Sequence, residues 1–303
     1  MVAVADHKHF RRAAGAVHVS QPTLSGQIRK LEGFLGVSLF ERDSRNVALT
    51  SAGEAVLEDA RLALAHAQAV QDIAQAYRDP LAGEIRLGAI SSLGPFLAPD
   101  LLCQMQHDAP RLDIRLTEAL TAELLVALRA RELDAVLIAT PPDGDDLIAE
   151  ELFDEPFLVG ICNDHPLAAR ESIALSDMED GTLLLLSEGH CLRDQAVSLC
   201  GTKTVDPRVT ASSLLTLMRM AALGHGATLV PALAAPMAKG LVLRSAQGEN
   251  TSRRIRLVAR RAFPQKGALE VIAAAAWIVT REKGLMRAAE TKPQRSEPST
   301  KEA

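Results

Sequence analysis

The side chains best suited to chemistry in this chain are two thiols. His190-Cys191-Leu192-Arg193-Asp194-Gln195 sets one of them among basic and polar groups, and Cys200 follows nine residues after the first. If Ala196 to Leu199 continue a helix from Cys191, nine steps of about 1.5 Å separate the two Cα atoms by about 13.5 Å along its axis. Nine turns of roughly 100° also send the side chains to opposite faces. A disulfide needs Cα atoms within about 4.4–6.8 Å. The two thiols can therefore meet only if the segment between them unwinds, which makes this stretch a candidate chemical switch.

The length of 303 residues favours two or three domains over one. A hydrophobic fraction of 48% is ordinary for a chain with sizeable cores. The longest apolar run, Val271 to Val279, falls far short of the ~20 residues of a membrane span. Met1 to Asp6 has neither the basic start nor the apolar centre of a signal peptide. A cytoplasmic protein away from membranes is expected, and there a disulfide is more often transient and redox-sensing than structural. Residues 1–50 carry seven Lys/Arg against four acids, a net of +3, while the remainder has 26 bases and 34 acids, a net of −8. A small basic head on an acidic body suggests that the head alone meets a polyanion. At 3% aromatic residues, stacking on single strands is disfavoured and double-stranded DNA is the better fit.

Within the head, Phe10 to Gly15 reads as a short helix stopped by Gly15, with Ala16 to Val19 as a tight connection. Ser20 is a good N-cap, followed by Gln21 and Pro22 in the first turn. Leu24, Ile28, Leu31 and Leu35 recur at helical spacing, and Gly36 ends the helix. The opposite face carries Gln21, Thr23, Ser25, Gln27, Arg29 and Lys30, side chains suited to base edges and phosphates in a major groove. Leu39 to Thr50 alternates apolar and polar residues like a two-stranded wing whose tip offers Arg42 and Arg45. A helical hairpin with a solvated basic face is the plainer alternative. Ser51 to Asp79 then has an apolar stripe of Val56, Leu57, Ala60, Leu64, Ala67, Val70, Ile73 and Ala74, long enough for a dimer seam. A helix packed on its own domain is the other reading. Asp79-Pro80 and Ala82-Gly83 break it.

From Gly83 strands and helices alternate: Glu84 to Ile90, a helix through His107, Arg111 to Leu116, a helix over Ala122 to Arg131, and Leu133 to Ile138. That order predicts a doubly wound α/β domain with its ligand site at the C-terminal ends of the strands. Phe157 to Asn163 opens a second unit, which runs to about Arg254. Ile255 to Arg260 returns as a strand to the first unit, and Ala268 to Lys283 closes the domain as an amphipathic helix. The regulatory body thus spans about 83–288, with subdomain I at 83–156 and 255–288 and subdomain II at 157–254. The apolar-poor tail, 289–303, is expected to be disordered.

Phe10-Arg11-Arg12-Ala13-Ala14, the run Val19-Ser20-Gln21-Pro22-Thr23-Leu24-Ser25-Gly26-Gln27-Ile28-Arg29-Lys30-Leu31-Glu32, Leu35-Gly36 and Phe40-Glu41-Arg42 together resemble the winged helix-turn-helix of LysR-type transcriptional regulators. The resemblance implies an α + α/β architecture: the winged head over 1–50, a linker and dimerisation helix over 51–79, and a two-subdomain, periplasmic-binding-protein-like body. Members of that family begin with about three helical turns ahead of the segment matching Phe10. Only Met1 to His9 stand there, so a first helix short by about two turns, and a start assigned inside the reading frame, are expected.

Glu188-Gly189-His190-Cys191-Leu192-Arg193-Asp194-Gln195-Ala196 with Cys200, Leu93-Gly94-Pro95, Leu152-Phe153-Asp154-Glu155-Pro156 and Leu229-Val230-Pro231-Ala232-Leu233-Ala234 are similar to the peroxide-sensing members of the family. By that likeness Cys191 is the peroxidatic cysteine and Cys200 the resolving one, Ser92 and Thr121 supply hydroxyls that hold hydrogen peroxide, and Arg260 stands near the thiolate. Ser92 occupies a position where the family pattern has Thr. His190, Ser92 and Thr121 are the donors expected to stabilise the departing hydroxide. The likeness further implies operator DNA, RNA polymerase, a homodimer or dimer of dimers, glutaredoxin or thioredoxin as reductant, and control of antioxidant-defence genes, with no cofactor and no metal.

The remaining cysteines are expected to be small buried apolar residues: Cys103 within Leu101-Leu102-Cys103-Gln104-Met105, and Cys162 at the end of an apolar strand. No CxxC or Cys/His cluster suggests zinc, and Gly224-His225-Gly226 lacks the third glycine of a dinucleotide fingerprint. Three functions remain open: a redox-switched transcription factor, a LysR-type regulator that binds a small ligand between its subdomains with structural cysteines, and a thiol peroxidase. A recognition helix has no use in the last.

Overall fold

The computed structural model describes residues 1–41, 47–174, 177–178, 182–200 and 210–287. They belong to two compact units, Met1–Ile73 and Ala74–Ala303.

In the first unit, α1 (Val2–His7) ends on Lys8 in the left-handed conformation, and α2 (Phe10–Ala16) is capped by His9, whose Nδ1 accepts from Arg11 N at 3.1 Å. Gly15 does not stop α2 as expected. The helix continues one residue further, and His18, at φ 55°, makes the reversal instead. In α3 (Gln21–Leu35) the expected cap is present: Ser20 Oγ accepts from Thr23 N at 3.2 Å, and Gly36 closes the helix at φ 72°. Val4, Ala13, Ala14, Leu24, Ile28, Leu39 and Phe40 form the core, with the Phe10 and Phe40 rings edge to face at 6.0 Å. The Glu32 carboxylate accepts from Leu39 N (2.8 Å) and Phe40 N (3.3 Å), fixing the turn that leads Phe40 into its antiparallel bridge with Leu49. The wing tip, with Arg42 and Arg45, lies outside the described residues.

Thr50 starts α4 (Ser51–Arg78), its hydroxyl accepting from Gly53 N at 3.0 Å and donating to Ser38 O at 2.6 Å. This 28-residue helix crosses the boundary between the units. Leu64, Val70 and Ile73 of its apolar stripe are exposed.

The second unit contains β1 (Gly83–Ile90), α5 (Gly94–Asp108), β2 (Leu112–Ala119), α6 (Thr121–Arg129), β3 (Ala135–Ile138), β4 (Leu147–Ile161), β5 (Ser172–Ala174), β6 (Leu185–Leu186), α7 (Cys191–Cys200), β7 (Thr210–Ala211), α8 (Leu214–Ala222), β8 (Thr228–Pro231), β9 (Val242–Gln247), β10 (Ser252–Arg260), α9 (Lys266–Glu282) and β11 (Met286–Arg287). The main sheet runs β2-β1-β3-β10-β4-β9-β5. The parallel β2-β1-β3 half is the expected crossover pattern. The sheet as a whole is mixed, because the returning β10 lies antiparallel between β3 and β4. Phe157 does not open a new strand, since β4 is continuous. It exchanges partners instead: Pro156 pairs with Ser252 of β10, and Phe157 with Pro231 of β8. One apolar core, from Ile85 and Phe153 to Val230 and Ile272, joins both halves. The segment 289–303, expected to be disordered, lies outside the described residues.

Gly53 marks the tightest approach in the first unit. A Cβ there would stand 2.1 Å from the Leu39 carbonyl oxygen, a backbone atom that cannot swing aside. Gly53→Ala is expected to destabilise the first unit by about 1–3 kcal/mol, read as an earlier melting transition by circular dichroism.

Candidate functional site

A small cavity lies where β1 and β2 end and α7 begins. Ile90, Ser91, Ser92, Ala119, Leu120, Thr121, Gly189, His190 and Cys191 line it. Its free space is about 10 Å³, roughly one water-sized sphere. Cys191 is the first residue of α7, and it and His190 are each 8% exposed. Gly189, at φ 89°, turns the chain into that start. Helix N-termini carry unpaired N–H groups and the positive end of the helix dipole, both favourable to developing negative charge. Thr121 opens α6, and its Oγ1 is buried without a hydrogen-bond partner. An orphaned hydroxyl in a cavity this small indicates a place for a small polar guest. Ser92 is 3% exposed.

His190 is held below the ordinary histidine pKa by burial, with the charge of Glu123 pushing the other way. Its imidazole is therefore neutral near pH 7, and brings to the cavity a donor and an acceptor but no charge.

Four of the expected site residues thus come together: Ser92, Thr121, His190 and Cys191. Arg260 does not join them. Its guanidinium donates to the carbonyls of Leu128 (2.6 Å) and Leu133, reaches Asp134 at 3.3 Å, and stacks 5.8 Å from the Phe263 ring. Because β10 runs antiparallel to β3, Ala259 pairs with Ala135 at the start of β3, and Arg260 lies at the end of the sheet remote from the cavity. The arginine at the cavity is Arg253, seven residues earlier in the same strand, or about 23 Å at ~3.3 Å per residue. It donates from Nη1 to Ser92 Oγ (2.8 Å), from Nη2 to Ser92 O (3.0 Å) and from Nε to Glu155 (2.8 Å). The side chains of Arg253 and Glu155 are both 0% exposed.

Cys200 is the last residue of α7, so the backbone between the two thiols is helical throughout, as the switch geometry assumed. The other cysteines differ from expectation. Cys103 is exposed and Cys162 half-buried. On α5 the inward face is taken by Phe96, Leu97, Leu101 and Met105, which turns Cys103 outward.

On the first unit, Ser20, Gln21, Pro22, Thr23, Gln27, Arg29 and Lys30 are exposed and Ser25 half-exposed, while Leu24 and Ile28 of the same helix are buried. The Ser20 hydroxyl is occupied by its cap and by Thr23 Oγ1, 2.7 Å away. Gln21, Gln27, Arg29 and Lys30 are long polar side chains of α3 exposed to solvent.

Residues 1–54 match the family model for the bacterial regulatory helix-turn-helix protein, lysR family, and residues 78–277 match the LysR substrate binding domain. The chain belongs to the LysR family. Among similar LysR-family proteins are the hydrogen peroxide-inducible genes activator of Dickeya chrysanthemi, 41% identical over 90% of this chain and 91% of the relative, and the DNA-binding transcriptional dual regulator OxyR of Escherichia coli K12, 41% identical over 91% and 92%. Among solved structures, a cysteine-to-aspartate variant of full-length OxyR from Pseudomonas aeruginosa has a TM-score of 0.73 at 40% identity and covers 91% of both chains. A hydrogen-peroxide-bound cysteine-to-serine variant of OxyR from Corynebacterium glutamicum has 0.65 at 34%, over 93% and 91%.

The neutral state of His190 has a consequence for this LysR-family chain. A folded-state pKa below the unfolded value means that the unfolded chain takes up its proton first as pH falls. The associated stability is complete above about pH 6.5 and is lost as pH drops toward the folded value. Urea unfolding at pH 7.5 and 5.5 should show the native protein losing more stability on acidification than His190→Asn.

Proposed function

We propose that this chain is a LysR-type transcriptional regulator that senses hydrogen peroxide through Cys191 and converts the signal into a Cys191–Cys200 disulfide. One observation carries the reading: a buried cysteine at a helix N-terminus faces Ser92 and an unpartnered Thr121 hydroxyl across a cavity of one water-sized molecule. Peroxide, only one oxygen atom larger than water and hydrogen-bonding at both ends, suits that small space better than a metabolite does. The names of the relatives support the same reading.

In the first step Cys191 sulfur attacks one peroxide oxygen. An S–O bond forms, the O–O bond breaks, and the departing oxygen leaves as water with the thiol's proton. Only the thiolate is nucleophilic, so the α7 N-terminus and the hydroxyls of Ser92 and Thr121 stabilise the negative charge on sulfur and then on the leaving oxygen. In the second step Cys200 sulfur attacks the sulfenic sulfur, an S–S bond forms, and a second water leaves. At about 13.5 Å of helical rise that step demands the loss of α7 as a helix. A dithiol such as reduced glutaredoxin or thioredoxin returns both sulfurs to thiols. The protein is oxidised once per signal and acts as a regulator, not as a peroxidase. α3 reads operator DNA, α4 is the dimer seam of a homodimer or dimer of dimers, and the oxidised form recruits RNA polymerase to antioxidant-defence genes in the cytoplasm.

Mass mapping of thiols after brief exposure of the reduced protein to one equivalent of peroxide tests the reading. A Cys191–Cys200 crosslink with Cys103 and Cys162 free is expected, and Cys191→Ser should form none. Four free thiols in the native protein would overturn it in favour of ligand sensing. For the DNA face, Arg29→Ala should weaken operator binding and make the slope of log K against log salt shallower by about 0.9, measured by fluorescence anisotropy.

A further inference from the structure

The Ser92 hydroxyl has one proton to give, and its surroundings decide where that proton goes. Arg253 Nη1 donates to Ser92 Oγ at 2.8 Å, so the oxygen is already an acceptor on that side. Arg253 has no acceptor to offer in return. The carbonyl of Ser92 is also held, by Nη2 at 3.0 Å, which pins the residue as well as its side chain. The hydroxyl proton is therefore left to point away from the guanidinium, toward the cavity that Ser92 shares with Cys191 and Thr121. The neighbouring Ser91 hydroxyl is turned to the Ala119 carbonyl instead, at 3.4 Å.

What holds the guanidinium in place is a carboxylate. Glu155 Oε2 takes Arg253 Nε at 2.8 Å, and its Oε1 takes Leu233 N, also at 2.8 Å. Neither charged side chain touches solvent, so their geometry is not averaged by water. Glu155 sits one residue before β4 exchanges partners, and Leu233 lies in the short 3-10 helix (Ala232–Met237) that follows β8. The Leu233 amide thus holds one oxygen of the carboxylate while the other meets Arg253.

We propose that Glu155 is a positioning residue for peroxide reduction: by clamping Arg253 it forces the Ser92 hydroxyl to accept from the guanidinium and to donate into the cavity, against the peroxide oxygen that leaves when Cys191 attacks. This rests on the peroxide-sensing reading given above. The step remains the balanced one already written, with the S–O bond formed, the O–O bond broken and the thiol proton carried off in water. Ser92 lends a hydrogen bond and transfers no proton of its own.

The test uses the full chain carrying Cys200→Ser, so that oxidation stops at the Cys191 sulfenic acid. Two rate constants are measured by mass spectrometry: sulfenic acid formation with hydrogen peroxide, and alkylation of Cys191 by iodoacetamide, which needs a reactive thiol but no donor to a leaving hydroxide. Ser92→Ala and Glu155→Gln should each lower the peroxide rate at least about tenfold and leave alkylation within about twofold. The double variant should be no slower than Ser92→Ala alone, because both changes remove one hydrogen bond, and Ser92→Thr should restore the rate. A native peroxide rate in Ser92→Ala overturns the inference even if Glu155→Gln fails to fold. So does a folded Glu155→Gln that reacts normally, or one that loses both rates in equal measure. A parent protein inert to peroxide overturns the proposed function and this inference together.

Discussion

Two opposite charges with no solvent contact, Arg253 and Glu155, sit where the second unit changes from one half to the other. Burying such a pair costs several kcal/mol per ion, and mutual attraction offsets this only when every remaining donor and acceptor is also engaged. Here Arg253 reaches Ser92 at two atoms, and Glu155 also holds the Leu233 amide. The pair thus binds the loop after β1, the crossing strands β4 and β10, and the segment after β8 into one arrangement. A hydrophobic pair of similar volume would give comparable stability. What it would not give is a hydroxyl with one defined orientation in the cavity.

The second constraint is the helix between the thiols. α7 has ten residues, and isolated helices shorter than ~12–15 residues are marginal in water. Its first turns are anchored by burial of Cys191, Leu192 and Ala196, while Val197 and Ser198 face outward. Arg193 adds a bond to the Leu186 carbonyl at 3.0 Å. These contacts anchor the helix at the end that carries Cys191, and Leu199 packs against the core near the other end. Under the proposed function, oxidation of Cys191 would act on this anchored end directly, placing a larger, polar sulfenic acid in a cavity with little room to spare.

Much of this was legible in the sequence because it is local. The Ser20 cap, the stop at Gly36, the amphipathic α3 and the long α4 all follow from residue spacing along one helix. The separation of Cys191 and Cys200 at the two ends of α7 follows from nine residues of helical rise. What was not legible depends on register between distant strands. Arg253, Arg254, Arg256, Arg260 and Arg261 crowd one short stretch, and nothing in their order says which is buried. The register shift between Ile255 and Arg256, and the antiparallel return of β10, put Arg253 at the cavity and Arg260 at the opposite end. Glu155 stands in the run Leu152 to Pro156 that resembles the family, but nothing in that run says that its carboxylate is buried against Arg253. Its burial is set by the partner exchange of β4, a long-range event with no local signal.

Under the proposed function, the two constraints taken together give a reason for a peroxide sensor to keep its thiol buried. An exposed thiolate would react with any oxidant or disulfide in proportion to its abundance. A thiol 8% exposed beside about 10 Å³ of free space slows larger reactants and favours small ones that hydrogen-bond within the cavity. That filter operates only while α7 is a helix. In the proposed switch, loss of the helix to join Cys200 to Cys191 would remove one wall of that cavity and open the sulfurs to a larger dithiol reductant. On that proposal, selectivity in the forward direction and accessibility in the reverse direction would come from the same ten residues in two conformations, and neither conformation would have to serve both tasks.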